Sequence, residues 1–176
     1  MQRLAIITGL LAVLAAAPAG AAPGDVGMAK AKDAATALQR GQSDEAVLLY
    51  SAALEDQTLS NDRRAALLND RGVAYSRLNR LKAAIDDFNK SVQLAPESAS
   101  VYNNRGNVLL ALGLAAEATK DLDRALLLAP GYAAAYINRA NARSLSGNSD
   151  GAAKDYQHAI RLQPKGPAAY GGLARL

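Results

Sequence analysis

Residues 99–132 read ASVYNNRGNVLLALGLAAEATKDLDRALLLAPGY, and the same pattern of residue types returns 34 positions before and 34 positions after this stretch. An internal period of this length predicts a stack of small similar units instead of a single globular core. The positions that keep the step are Ala84, Ala118 and Ala152; Gly72, Gly106 and Ala140; Phe88, Leu122 and Tyr156; Ser91, Ala125 and Ala159; and Pro96, Pro130 and Pro164.

Each unit carries two helical patterns. Tyr102, Gly106 and Leu109 lie at i, i+4 and i+7, which places them on one helix face, and Ala118 begins a second set with the same spacing. Small residues such as Gly106 and Ala118 would let the two helices approach closely. Between the helices, the equivalent positions hold residues that tolerate the left-handed conformation of a tight turn, namely Gly41, Asn79, Gly113 and Gly147. The unit is therefore predicted to be an antiparallel helix pair.

Three clear copies of the unit follow a weaker first copy, and a short last helix would cover the open end of the stack. Four extra residues within 56–61 separate the first copy from the second, with Ser60 or Asn61 capping the next helix. The predicted boundaries are 29–62, 65–98, 99–132, 133–166 and, for the capping helix, 167–176.

The N-terminal residues have the pattern of a secretory signal peptide. A short positive segment precedes an uncharged, mostly apolar run from Leu4 to Ala17, and small residues follow it. The pattern predicts a signal peptide over 1–21, cleaved near Ala21, and a linker over 22–28; cleavage after Ala19 and an uncleaved anchor are the alternatives. The expected product is a periplasmic or secreted bacterial protein without stable membrane insertion.

The composition argues against several classes of function. The net charge is +4 and the basic residues are scattered among acidic ones, so we expect no nucleic-acid partner. The chain has one histidine, His158, and no cysteine, whereas catalytic triads and most metal sites need these residues. We therefore expect an exposed helix histidine, no catalytic residue, no metal site, no cofactor and no enzyme.

The repeated residues resemble the signature of the tetratricopeptide repeat (TPR) family, in which large, small and aromatic residues alternate on two helices before a closing proline. Arg143 departs from it, since a large apolar residue is expected there. The matches are Leu68, Gly72, Tyr75, Ala84, Phe88, Ser91 and Pro96; Tyr102, Gly106, Leu109, Ala118, Leu122, Ala125 and Pro130; and Tyr136, Ala140, Ala152, Tyr156, Ala159 and Pro164.

The resemblance covers about residues 29–176 and identifies the chain as a TPR protein of the exported bacterial type. It implies an all-α fold: a right-handed superhelical solenoid of antiparallel helix pairs, with about four repeats plus a short C-terminal capping helix. It also implies that the first helix of each pair lines a concave groove, where TPR proteins bind peptides, tails or partner domains.

A ladder of asparagines lies on the face that this geometry assigns to the groove. Asparagine is a poor helix former, and its amide both donates and accepts hydrogen bonds, which suits an extended peptide backbone. The alternative is that these amides cap neighbouring helices or face water. The predicted partner-binding residues are Asn69, Asn103, Asn104, Asn107, Asn138 and Asn141.

Arginine and aspartate also keep the step of 34, at Arg71, Arg105 and Arg139 and at Asp87, Asp121 and Asp155. The pattern predicts partly buried ion pairs between helices; the alternative is that the arginines reach a ligand carboxylate. Because the groove face is mostly asparagine, we do not expect the carboxylate-clamp specificity of some TPR proteins.

The sequence therefore predicts a non-catalytic interaction module or adaptor that binds a peptide or partner protein in the concave groove, in the bacterial envelope. The alternative is a structural scaffold or self-assembling solenoid that positions an envelope enzyme by its convex face or its ends.

Overall fold

The computed structural model describes Ala22 and residues 24–176. Within this part the chain forms nine α-helices and no β-strand, so the predicted all-α fold is confirmed. The predicted signal peptide, residues 1–21, lies outside the described residues. The helices are α1 Asp25–Gln39, α2 Ser43–Leu54, α3 Asn61–Arg77, α4 Leu81–Leu94, α5 Ala99–Ala111, α6 Ala115–Leu128, α7 Ala133–Leu145, α8 Ser149–Leu162 and α9 Pro167–Leu173.

The helices stack in chain order. Each odd-numbered helix from α1 to α7 packs against the even-numbered helix that follows it, and each even-numbered helix packs against the next odd one. Odd-numbered helices also contact one another, α1 with α3, α3 with α5, α5 with α7 and α7 with α9, whereas no two even-numbered helices are in contact in the described part of the chain. The stack therefore curves with the odd-numbered helices on its inner side.

The residues that keep the step of 34 form the contacts inside each pair. Ala84, Ala118 and Ala152 are completely buried, as are Phe88 and Leu122. In the second repeat the large residue leaves no room for a side chain opposite it: a Cβ on Gly72 would lie 2.7 Å from the Phe88 ring. The repeated positions are therefore those where a small residue on one helix packs against a large residue on its partner helix.

The turns inside the pairs have the predicted backbone. The φ angle is positive at Gly41 (79°), Asn79 (57°), Gly113 (77°) and Gly147 (77°). The cap before α3 is also as predicted, because the Ser60 side chain accepts a hydrogen bond from the Arg63 backbone N–H. These features are local, so the sequence alone can indicate them.

The predicted linker over 22–28 is wrong from residue 25 onward, because α1 begins at Asp25. The reason lies in the extra residues between the first two pairs. The Gly27 N–H donates to Asp56 Oδ2 at 2.9 Å, and the Gly24 N–H donates to Thr58 Oγ1 at 2.6 Å. The loop after α2 thus caps the start of α1, and the segment is helical instead of extended.

Candidate functional site

The inner surface carries a chain of side-chain amides that crosses three helices. Asn138 Nδ2 on α7 donates to Asn103 Oδ1 on α5 at 2.9 Å, and Asn103 Nδ2 donates to the adjacent Asn104 Oδ1 at 3.4 Å. Asn104 Nδ2 then donates to Asn69 Oδ1 on α3 at 3.0 Å, and Asn69 Nδ2 donates to Asp70 Oδ1 at 3.1 Å. The four asparagines therefore form one continuous chain that ends on a carboxylate.

The carboxylate fixes the direction of this chain. An ionised Asp70 can only accept hydrogen bonds, so Asn69 must donate to it and must accept from Asn104. By the same argument, Asn104 accepts from Asn103, and Asn103 accepts from Asn138. Asn69, Asn103 and Asn104 each use one N–H and one lone pair in the chain, whereas Asn138 uses one N–H alone. Each amide therefore has one further N–H and at least one further lone pair.

The expectation that Asn103 lies on an open face is wrong. Its residue is only 6% exposed, because α5 and α7 pack together there and Asn138 covers it. Asn69, Asn104 and Asn138 are half-buried. The alternative, in which the amides cap neighbouring helices or face water, does not describe these four asparagines. Their side chains form hydrogen bonds with one another.

The other two predicted residues differ from each other. Asn141 is half-buried, and its Oδ1 accepts a hydrogen bond from the Tyr156 hydroxyl at 2.5 Å. Asn107 is exposed and makes no side-chain hydrogen bond to any described residue. Asn107 is thus the predicted residue whose whole side chain is available to a partner.

Beside the end of the amide chain, α3, α4 and α5 enclose a cavity of 330 Å³. Asp70 is half-buried there; burial raises its pKa above the ordinary value, and the hydrogen bond from Asn69 offsets only part of this. Burial and the charge of Asp70 together raise the pKa of Tyr50 to about 12. The lining residues are Asp62, Ala65, Ala66, Asn69, Asp70, Ser91, Ala95, Ser98, Ser100 and Val101.

The sequence places Asp70 on the face assigned to the groove, but Asp70 is not among the six predicted partner-binding residues. A signal was present, because Asp70, Asn104 and Asn138 are separated by steps of 34 residues. The step shows equivalent positions but gives no contact between Asp70 and Asn69. The end of the amide chain therefore became visible only in the structure.

The arginines that keep the step of 34 are the predicted ion-pair partners. Arg71 forms two hydrogen bonds with Asp87, at 2.7 and 2.8 Å, and the equivalent pairs repeat this geometry. Each arginine also reaches the preceding even-numbered helix, at Ser51, Asn89 or Asp123. The interpretation as structural ion pairs is confirmed: these guanidinium groups bind carboxylates of the chain itself.

Arg143, which departs from the family pattern, joins the last of these pairs. Its Nη1 donates to Asp155 Oδ2 at 2.8 Å, so Asp155 binds both Arg143 and Arg139. Burial opposes the charge of the Arg139 guanidinium, but its hydrogen bonds to Asp155 and Asp123 outweigh this and raise its pKa. A charged residue is therefore accommodated where the family pattern has an apolar one.

The remaining expectations concern His158, metal binding and the membrane. The expectation of an exposed His158 is wrong, since it is half-buried and its ring stacks on Tyr136 with centroids 4.1 Å apart. Over the described residues, no group of three or more histidine, cysteine, aspartate or glutamate side chains is arranged to hold a metal ion. Nor does any helix of that part have the length and apolar character to cross a membrane.

Two family models match the chain. One, described as a TPR repeat, matches residues 65–113, and another, described as a tetratricopeptide repeat, matches residues 99–132 and 133–165. Together they extend from residue 65 to residue 165, more than half of the 176 residues. The chain belongs to the tetratricopeptide repeat (TPR) family.

Solved TPR structures share the fold. The first TPR of Spaghetti (RPAP3), bound to the HSP90 peptide SRMEEVD, is 27% identical with a TM-score of 0.64, covering 66% of this chain and 92% of that one. The second TPR domain of human RPAP3, in complex with the HSP70 peptide SGPTIEEVD, is 25% identical with a TM-score of 0.63, covering 66% and 97%. MamA from Desulfovibrio magneticus RS-1, residues 41 to the end, is 23% identical with a TM-score of 0.76, covering 88% and 85%, and shows the fold alone. No curated protein matches the sequence significantly.

Proposed function

We propose that this TPR protein binds an extended segment of a partner protein along the inner surface formed by α3, α5 and α7. The observation that carries the proposal is the amide chain, in which the half-buried Asn69, Asn104 and Asn138 each keep an N–H and a lone pair for another molecule. A peptide main chain presents both groups at a regular spacing. The RPAP3 domains, which bind peptides of HSP90 and HSP70, support a protein-interaction module of this fold. The proposed role includes no catalytic step.

We further propose that the protein acts in the bacterial envelope after removal of residues 1–21. The support is the sequence pattern of the N-terminus. The mature protein isolated from its native cell is expected to begin at Ala22, or at Gly20 if cleavage follows Ala19. A mature protein that retains Met1 would contradict export by this route.

The groove proposal is tested by crosslinking in the native cell. A photoreactive amino acid replaces Asn107, which is exposed on the inner helix α5, and in a matched variant it replaces Leu127, which is 71% exposed on the outer helix α6. We expect partner adducts from position 107 and few from position 127. The reverse result would favour the scaffold alternative, in which the convex face holds the partner, and adducts between two copies of the chain would favour self-assembly.

A second variant separates groove binding from folding. Asn107→Arg adds a long charged side chain to the inner surface without removing a hydrogen bond of the described structure. The variant should keep the helical circular dichroism and thermal stability of the natural chain and lose its partner. Undiminished capture of the partner by Asn107→Arg would overturn the groove proposal.

A further inference from the structure

Asp70 differs from the three aspartates that keep the step of 34 in how its charge is balanced. Asp87, Asp121 and Asp155 are buried, and each binds an arginine through two hydrogen bonds. Asp70 is half-buried, yet among the described residues its side chain has one hydrogen bond, from the Asn69 amide, and no cation. A carboxylate that has lost part of its water is stabilised strongly by a cation and only weakly by a neutral amide. Asp70 is therefore the carboxylate whose missing counterion an external molecule could supply.

The hydrogen-bonding groups at this end of the groove also favour a partner that donates hydrogen bonds. An ionised Asp70 accepts one hydrogen bond from the chain and has no N–H or O–H to offer, so a further partner of this carboxylate must be a donor. Asp62 is exposed and lines the same cavity, and it adds a second negative charge near the site. No lysine or arginine lines the cavity. The charged side chains that line the cavity are thus both carboxylates, which favour a cation over an anion.

The cavity has walls that suit a long cationic side chain. Ala65, Ala66 and Val101 line it with apolar atoms, while Asp70 and Asn69 supply the polar atoms. Lysine and arginine have this combination of an apolar stem and a charged end, and they bury the stem while the end stays paired. The volume of 330 Å³ lies within the range of small-ligand pockets, so it can take one side chain of this kind.

We propose that the partner segment is basic where it meets α3, and that one of its lysine or arginine side chains enters this cavity and pairs with Asp70. This rests on the function proposed above, and it adds the chemical class of the partner. The HSP90 and HSP70 peptides bound by the RPAP3 domains end in Glu-Glu-Val-Asp. A segment with such charges would place carboxylates beside Asp62 and Asp70 and would be repelled.

The test uses a library of eight-residue peptides, acetylated at the N-terminus and amidated at the C-terminus, so that only side chains carry charge. The library is selected on the purified mature protein, and the selected peptides are measured by fluorescence anisotropy against three variants. Asp70→Asn keeps the shape and can still accept from Asn69 but removes the charge. Asp86→Asn removes the same charge from an exposed residue of α4 that does not line the cavity. Asn107→Arg obstructs the groove.

We expect lysine or arginine to be enriched at one position of the selected peptides. Asp70→Asn should weaken their binding at least about tenfold, whereas Asp86→Asn should change it less than about twofold. Peptides that bind, are lost in Asn107→Arg and prove acidic or neutral would overturn the basic-partner inference and leave the groove proposal standing. Equal losses in Asp70→Asn and Asp86→Asn would also overturn it, since they indicate unspecific attraction by net charge. A library from which no peptide binds would overturn both proposals.

Discussion

At the scale of single residues, the chain places its buried charges in pairs. Arg71 illustrates the arrangement: its guanidinium binds both oxygens of Asp87 on α4 and also reaches the Ser51 hydroxyl on α2. Three helices are thereby fixed by one side chain. Because a buried ion pair gains little over an apolar pair of the same volume, its contribution is to the register of the helices as much as to stability.

Removal of one member of such a pair is expected to be costly. Asp87→Ala leaves the largely buried Arg71 guanidinium without its counterion, and the free energy of unfolding should fall by roughly 3 kcal/mol. Urea denaturation followed by circular dichroism measures the change. The adjacent Asp86 is exposed, so Asp86→Ala should change stability by less than about 0.5 kcal/mol and serves as the control. Similar losses in the two variants would show that the ion pair does not hold the helices together.

At the scale of helices and loops, the segment between α2 and α3 does more than connect them. Asp56 accepts hydrogen bonds from the Thr58 hydroxyl, the Thr58 N–H and the Gly27 N–H, while Arg64 donates to the Leu54 and Asp56 carbonyl oxygens. These bonds fasten the start of α1 to the start of α3. The helix therefore begins near Gly24 without a side-chain cap of its own.

This loop gives the start of α1 a predictable response to acid. Hydrogen bonds from the Thr58 side chain, the Thr58 backbone and the Gly27 backbone lower the pKa of Asp56 below its ordinary value of about 4. A depressed pKa means that the stabilisation is present above the unfolded pKa and is lost as the pH falls through the folded pKa. The amide proton shifts of Gly27 and Thr58 in NMR spectra should therefore titrate together with a midpoint below about pH 4. Asp56→Asn should abolish this titration, and a shared midpoint above about pH 5 would contradict the assignment.

The sequence predicted the helix pairs, their turns and their ion pairs because each depends on residue types at a fixed step. A left-handed residue at Asn79 or a small residue at Gly72 is a local requirement that one position can reveal. The burial of Asn103 depends on how closely α5 approaches α7, and the helical start at Asp25 depends on a loop outside the period. Residue types at a fixed step give neither the distance between helices of neighbouring repeats nor a contact outside the period, so the sequence alone could not predict these two features.

At the scale of the whole stack, the apolar interior of the described residues consists of four clusters that follow one another along the chain of helices. Each repeat is stabilised by itself and by its neighbours, as in other solenoids. The last repeat depends on α9, where a Cβ at Gly172 would overlap the Tyr156 ring. Tyr156 also holds Asn141 through its hydroxyl, so α9 supports one end of the inner surface.

Docking of α9 can be tested with two adjacent glycines. Gly172→Ala should disturb the contact with Tyr156 at a cost of roughly 1–3 kcal/mol, which outweighs the gain of about 1 kcal/mol in helix propensity. Gly171→Ala is the control, since its Cβ would meet only Arg175, at 3.5 Å, and it should stabilise α9 slightly. Hydrogen exchange should become faster in α7, α8 and α9 of Gly172→Ala and stay unchanged in α1 to α4. Faster exchange throughout the chain would show that the stack unfolds as one unit.

The amide chain on the inner surface follows a rule that allows it to be lengthened. Within a repeat the first asparagine donates to the second, as Asn103 does to Asn104, and the second donates to the repeat before it. The chain starts at Asn138 because Ile137 occupies the preceding position and has no amide. A duplicated copy of residues 99–132 would therefore insert two amides without altering either end. Duplication of a repeat would extend the inner surface by a whole unit. Partner segments of different lengths would then bind through the same amide hydrogen bonds.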